Sequence, residues 1–392
     1  MKHTRKLVGV VVLSIFFSAC QKDSRFASEA MDAKKNDEAG AAPAGVTLDK
    51  NKGGDRVYTL SNQADGNKVM VFHRAASGEL TFDAAYTSGG SGTGGGLGNQ
   101  GAIALAEDNE IVLAVNPGSN SLSSLKVTGN GLNLKSTVSS GGMQPVSIAA
   151  YDDLVYVLNA GGNGSISGFR LLNNDKLQPI PNSTRPLSVA ATTGPAQISF
   201  VLGGRVLVIT EKATNTITTY TVDESGVPGN IHTRTSSSPT PFGFAAGQLG
   251  AIFVSEAVGG APGASVLSSY RVHLNGEISL IDGSVGAGQT AACWVVITKN
   301  GQYVYATNTG SNNVSTFNVS SVSGDIDVLD AVSGETGAGP IDAALTGNSK
   351  FLYVLNAGGQ SINVFEVEDN GSLNPVQLVT GLPPGATGLL AN

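Results

Sequence analysis

From Gly339 to Val379 the chain sets short apolar runs between breaks of Gly, Asn and Asp. The runs 341–345, 351–355 and 362–367, with a more diluted run at 373–379, predict four short strands. Gly347-Asn348, Gly358-Gly359 and Asp369-Asn370-Gly371 fill the gaps, and Asn-Gly supplies the positive φ angles of a tight hairpin. The unit is therefore an antiparallel meander. Its second run, Phe-Leu-Tyr-Val-Leu, is apolar without alternation, as expected of a strand buried on both faces. Its fourth is broken up by Asn374, Pro375 and Gln377, so the unit has an inside and an outside edge.

The same pattern recurs six more times. Its best-aligned part is the second strand with the turn after it: VYTLSNQ from Val57, IVLAVNPGSN from Ile111, LVYVLNAGGN from Leu154, VLVITEKATN from Val206, AIFVSEAVGG from Ala251 and YVYATNTGSN from Tyr303. Aligned on Asn62, Asn116, Asn159, Thr210, Ser255, Asn308 and Asn356 as closing residues, the copies are 43 to 54 residues apart. Four strands at that period predict an all-β, seven-bladed β-propeller of four-stranded antiparallel blades. The first copy lacks an inner strand upstream, and the terminal GATGLLAN resembles the opening of a unit. The C-terminal segment is thus expected to complete blade 1 and close the ring, leaving no edge around the circle.

The propeller takes up residues 57–392. Ahead of it, residues 1–19 read as an export signal: a basic start (Lys2, Arg5, Lys6), an apolar run 7–17 too short to span a bilayer, and Ser18-Ala19 before Cys20. This start resembles a bacterial lipoprotein signal, with Phe17 in place of the usual Leu. The resemblance implies lipidation of Cys20 and a membrane anchor, and Gln21 in the next position implies outer-membrane sorting in a diderm host. Residues 20–56 hold few large apolar side chains and read as a disordered tether with ends about 30 to 40 Å apart. The whole chain carries a net charge of −7, or −10 without the three basic residues of the signal, which argues against nucleic acid as a partner. Nothing in the sequence suggests assembly beyond a monomer. With Cys20 acylated, Cys293 in AACWVVI is expected to be a reduced, buried side chain. The glycine-rich stretch 89–101 reads as a flexible crossing between blades 1 and 2, since a phosphate-binding fingerprint needs a helix after it.

In a propeller, the loops that lead into inner strands and those that leave second strands meet at one mouth of the channel. There the sequence places Gln144, Gln197 and Asp342 at inner-strand starts, and Thr210 with Glu211, Ser255 with Glu256, Asn308 and Asn356 at second-strand ends. None of His73, His232 and His273 falls at the mouth, so neither a metal cluster nor an imidazole base nor a cofactor site is expected. Glu211 and Glu256 occupy equivalent places in adjacent blades. They can share acid and base roles, hold a cation or simply solvate the rim.

The motifs GPAQISFVLGGRVLVITE (194–211), VVITKNGQYVYATNTG (295–310) and KFLYVLNAGG (350–359) resemble the seven-bladed lactonase family, which includes 6-phosphogluconolactonases and carboxymuconate-lactonising enzymes. That resemblance implies a G-P-R-H at the start of blade 4, an N-E closing its second strand, a histidine leading into blade 3 and an N-R-G turn in blade 6. This chain has Gly194-Pro195-Ala196-Gln197, Thr210-Glu211, Gln144-Pro145 and Asn308-Thr309-Gly310 instead. Of the charged set only Glu211 survives. The expectation is a degenerate mouth that binds a protein partner or a neutral polar ligand such as a glycan, through Gln144, Gln197, Thr210, Asn308, Asp342 and Asn356. Hydrolysis of a lactone, with Glu211 as base and Glu256 assisting, is the alternative, and a purely structural envelope role is the third.

Overall fold

The computed structural model describes residues 55–106, 109–190 and 192–392. Seven antiparallel sheets follow one another around a ring, six with four strands and one with a divided fourth strand. Blade 7 shows the unit: Pro340–Leu345 innermost, then Phe351–Asn356, Ser361–Val367 and Leu373–Thr380 outermost. The second strand is buried along its whole length, whereas the outer strand alternates toward solvent. The diluted apolar pattern of the fourth run thus reports its place at the perimeter.

The C-terminal strand Thr387–Ala391 pairs with Arg56–Leu60 and becomes the inner strand of blade 1, as expected from the sequence. Asn392 extends the seam: its side chain accepts from the Arg56 amide at 2.9 Å. Blade 3 departs from the pattern. Its outer strand is split into Leu177–Pro179 and Arg185–Pro186, both paired with Ser165–Leu171, because Pro179 and Pro181 cannot donate to a continuous ladder.

One alignment needs correcting. The second strands of blades 2, 3, 6 and 7 end on Asn116, Asn159, Asn308 and Asn356, but those of blades 4 and 5 end on Glu211 and Glu256, one residue beyond Thr210 and Ser255. In the amide blades this last residue staples the next hairpin. Asn116 donates to Ser121 and Ser123, Asn308 to Asn313 and Ser315, and Asn356 to Ser361 and Asn363, at 2.7 to 3.3 Å and always five and seven residues ahead. A second device stitches blade to blade: Asn120, Asn215 and Asn312 accept from the backbone N–H of Gln144, Thr240 and Gly339, each the residue before an inner strand of the following blade.

The signal, Cys20 and most of the tether lie outside the described residues. Cys293 is fully buried in the inner strand of blade 6. Among the described residues, no helix is long and apolar enough to cross a membrane.

Candidate functional site at the channel mouth

The mouth is closed by the chain itself. The glycine-rich stretch read as a flexible crossing instead runs over the channel, and Asn99 and Gln100 at its end are buried. Gln100 reaches the inner strand of blade 6, Ala292–Ile297, where its Nε2 donates to the Val295 carbonyl at 2.9 Å and its Oε1 accepts the Val295 amide at 3.1 Å. An amide side chain thus reproduces both bonds of a neighbouring strand, made available by the bulge between Ala292 and Val295. The Gln100 amide donates to Ala196 of blade 4 at 3.0 Å, the Asn99 side chain to the Val146 carbonyl of blade 3, and Trp294 Nε1 to the Asn99 carbonyl at 2.7 Å. The segment therefore touches blades on several sides of the ring. Glycine is required at its base: Gly92 packs so closely that a Cβ would sit 2.2 Å from the backbone of Asn62.

Gln197 plays a similar part between neighbours. Its amide pairs with both backbone groups of Phe244 in blade 5, at 3.0 and 2.6 Å, and is itself buried. Thr210 donates to the Phe242 carbonyl at 2.5 Å and Ser255 to the Cys293 carbonyl at 2.6 Å. These side chains lock the inner strands together and offer little to a ligand.

The two glutamates are buried as well, and each takes the stapling place that asparagine holds elsewhere. Glu211 Oε1 accepts from the Ser188 amide at 3.1 Å and Thr218 at 2.6 Å, and Oε2 from the hydroxyls of Ser188 and Thr214. Glu256 Oε1 accepts from the Ser237 amide (3.1 Å) and Tyr270 (2.6 Å), and Oε2 from the Ser238 amide (2.9 Å) and Ser268 (2.8 Å). Both carboxyls tie a second strand to the third strand of its own blade and to the crossing that arrives from the previous one. The expected pair of rim carboxylates is thus a pair of internal braces. Asp342 is also buried: its Oδ1 accepts the Ala343 amide at 2.8 Å and no hydrogen bond reaches Oδ2. Burial pushes its carboxyl well above the usual carboxylate range, and nearby backbone amides offset only part of this. Asn308 and Asn356 are interior staples, leaving Gln144 as the one exposed side chain of the set.

Burial raises Glu256 from 4.5 to about 7, against the opposing effect of its four donors. Because the folded value is the higher one, the native state keeps a proton that the unfolded chain releases between these two values, and stability falls as pH rises through that window. A loss of at most about 3 kcal/mol is expected between pH 4.5 and 7, levelling off above it. Urea unfolding at several pH values checks this; a slope left intact in Glu256→Gln would assign it to other groups.

Two features of the mouth are not evident in the sequence. Lys212, one residue past the Glu211 staple, donates to the Gly98 carbonyl and lies 4.4 Å from the centre of the Phe242 ring. The residue is half-buried as a whole, and burial of its ammonium lowers it to about 8. Phe242 in turn packs on Trp294, with ring centres 5.0 Å apart. The second feature is strain at Gln144. Its φ is 53°, a left-handed placement that costs a side chain about 1 kcal/mol, and the residues ahead of the inner strands of blades 4 to 7, Gly194, Thr240, Ala291 and Gly339, share it. His73, His232 and His273 stand in a third strand, an outer strand and the turn after a third strand, away from the mouth. Among the described residues no group of three or more His, Cys, Asp or Glu is arranged to hold a metal ion.

Comparison with known proteins agrees with this architecture. A family model for the seven-bladed β-propeller lactonases matches residues 267–389. A Bacteroides fragilis structure named as a candidate 6-phosphogluconolactonase is 16% identical at a TM-score of 0.67, covering 88% of this chain and 99% of its own. A Lactobacillus plantarum protein is 16% identical at a TM-score of 0.68, over 86% of this chain and 98% of that one. The periplasmic gluconolactonase of Pseudomonas aeruginosa is 15% identical at a TM-score of 0.62, over 84% and 98%. At such identities the likeness establishes the fold. None of the curated proteins matches the sequence.

Proposed function

We propose that this chain is an exported, lipid-anchored propeller whose mouth face binds a protein partner or a neutral polar ligand, and that the mouth does not hydrolyse lactones. The observation that carries this reading is the pairing of Gln100 with Val295, which holds the chain's own loop across the channel. The committed hydrogen bonds of Glu211 and Glu256 support it further, since a general base needs a free lone pair within reach of its substrate. Gln144 remains exposed at the mouth.

Lactone hydrolysis remains the second reading, on the strength of the gluconolactonases among the structural neighbours. Turnover of a lactone panel, 6-phosphogluconolactone and uncharged lactones included, decides between them. Rates equal to the uncatalysed ones are expected, and any saturable turnover abolished by Glu211→Gln overturns the binding reading. Intact mass of the protein from its native membrane tests the anchor. Acyl chains on Cys20 use the thiol that a disulfide to Cys293 needs, so the two modifications exclude each other and one spectrum distinguishes them.

A further inference from the structure

Two inner strands of the ring are held by a side chain of the blade before them. The inner strands of blades 3, 4 and 5 open on Pro145, Pro195 and Pro241. Two residues on, Ser147 Oγ accepts the Ile198 amide of blade 4 at 3.1 Å, and Gln197 pairs with both backbone groups of Phe244 in blade 5. In blade 5 the equivalent place is Gly243, which has no side chain to offer the Val295 backbone of blade 6. Gln100 fills it from the crossing loop: a Cβ on Gly243 would sit 2.1 Å from Gln100 Oε1. Beside Val295 the ring therefore leaves a slot, and the loop occupies it. The slot is one side chain wide, because the same Cβ would also meet the Cys293 carbonyl at 2.5 Å and the Trp294 Cα at 3.1 Å.

We infer that this slot is a carboxamide site, and that a partner protein enters it with a glutamine or asparagine side chain in exchange for Gln100. This rests on the binding reading above and names the chemistry of the partner. A strand residue presents its N–H and C=O along one edge, so a single group that meets both must carry a donor and an acceptor side by side. A primary carboxamide does, as Gln100 shows with its bonds of 2.9 and 3.1 Å to Val295. A lactone has no donor, and a carboxylate sets a second acceptor against the Val295 carbonyl. A trans secondary amide, whether an N-acetyl group or a peptide bond, turns its N–H away from its C=O. The surroundings favour a polypeptide over a small molecule. Lys212 donates to the carbonyl of Gly98 and Trp294 Nε1 to that of Asn99, the two residues that lead up to Gln100. Both donors thus serve a backbone on its way to the amide, and a partner's chain supplies the same carbonyls. Residues 93–96 of the loop are exposed, so the partner meets the loop from the solvent side.

Trp294 is the chain's single tryptophan, so its fluorescence reports on the slot directly. The full chain and its Gln100→Gly variant are titrated with propionamide, which is the glutamine side chain as a free molecule, and with methyl propionate and N,N-dimethylpropionamide, which lack the donor. Saturable binding of propionamide alone is expected, at least about tenfold tighter in the variant, because in the parent Gln100 competes from within the same chain. In the parent, acetyl-glutamine N-methylamide should bind at least about tenfold more tightly than its glutamate counterpart. No saturation in the folded variant overturns the inference, and so does an equal response to the ester. Binding in the variant with none of any probe in the parent also overturns it, since Gln100 is then a permanent brace. Saturation by N-acetylglucosamine in place of the glutamine probe would assign the mouth to a glycan instead. Should the variant unfold, the glutamine and glutamate probes on the parent carry the test. Lactone turnover is an independent readout: no carboxamide binding and no turnover refutes this slot and leaves the binding reading standing, whereas turnover refutes that reading itself.

Discussion

Replacing Glu211 by alanine is expected to destabilise the propeller by about 3 to 5 kcal/mol, the range seen when one member of a buried polar network is removed and its partners are stranded. Four donors converge on this carboxyl, and they differ in how well they can adapt. The hydroxyls of Ser188, Thr214 and Thr218 can rotate toward other acceptors. The Ser188 amide is fixed by the backbone and would be left facing a cavity. Glutamine keeps the volume and one good acceptor, so Glu211→Gln should lose less than half as much. Urea unfolding of the two variants measures both. The result bears on function because a catalytic base behaves in the opposite way: active-site groups are commonly kept at a cost to stability, and removing one leaves stability unchanged or improved. A Glu211→Ala protein as stable as the parent would end the structural account and return this residue to the list of possible bases.

The ring itself was legible because its signals are local. Each meander announces its turns through Gly, Asn and Asp within a few residues, and the odd strand at the C-terminus needed only a count to place it in blade 1. The staples were half legible. Asn116, Asn308 and Asn356 stand out as amides, but Thr210 and Ser255 look more like them than do Glu211 and Glu256. The physical requirement at the position is an acceptor or donor that can span strand, hairpin and crossing, and a carboxylate meets it. What the sequence concealed was the closed mouth. Asn99 and Gln100 look like ordinary loop amides, and their partner strand in blade 6 lies 195 residues away, beyond any local pattern. Lys212 was overlooked for a related reason: its contacts, Gly98 in the closing loop and Phe242 in the inner strand of blade 5, are brought to it only by the closed ring.

Gln100→Ala is the variant that should release the mouth. It removes both bonds to Val295 and leaves a buried amide and carbonyl without partners, which costs about 2 to 4 kcal/mol if they stay dry. The cheaper outcome is local: the loop lifts, water reaches the inner strand of blade 6, and the rest of the ring stays folded. Hydrogen exchange should then rise at the amide of residue 100, now bonded to Ala196 at 3.0 Å, and at Val295, while the second strands keep their protection. Gln100→Glu separates the two bonds. It keeps an acceptor for the Val295 amide and loses the donor to the carbonyl, so its effect should fall between parent and alanine. Unchanged exchange at residue 100 in both variants would mean that Trp294, Asn99 and Lys212 hold the loop without Gln100. The alanine variant also bears on the chemistry beneath. With the loop lifted, Asp342 and the inner-strand amides meet water for the first time. A released mouth that still turns over no lactone would show that the loop covers a site without a base, whereas turnover appearing on release would make the loop an inhibitor of a working one.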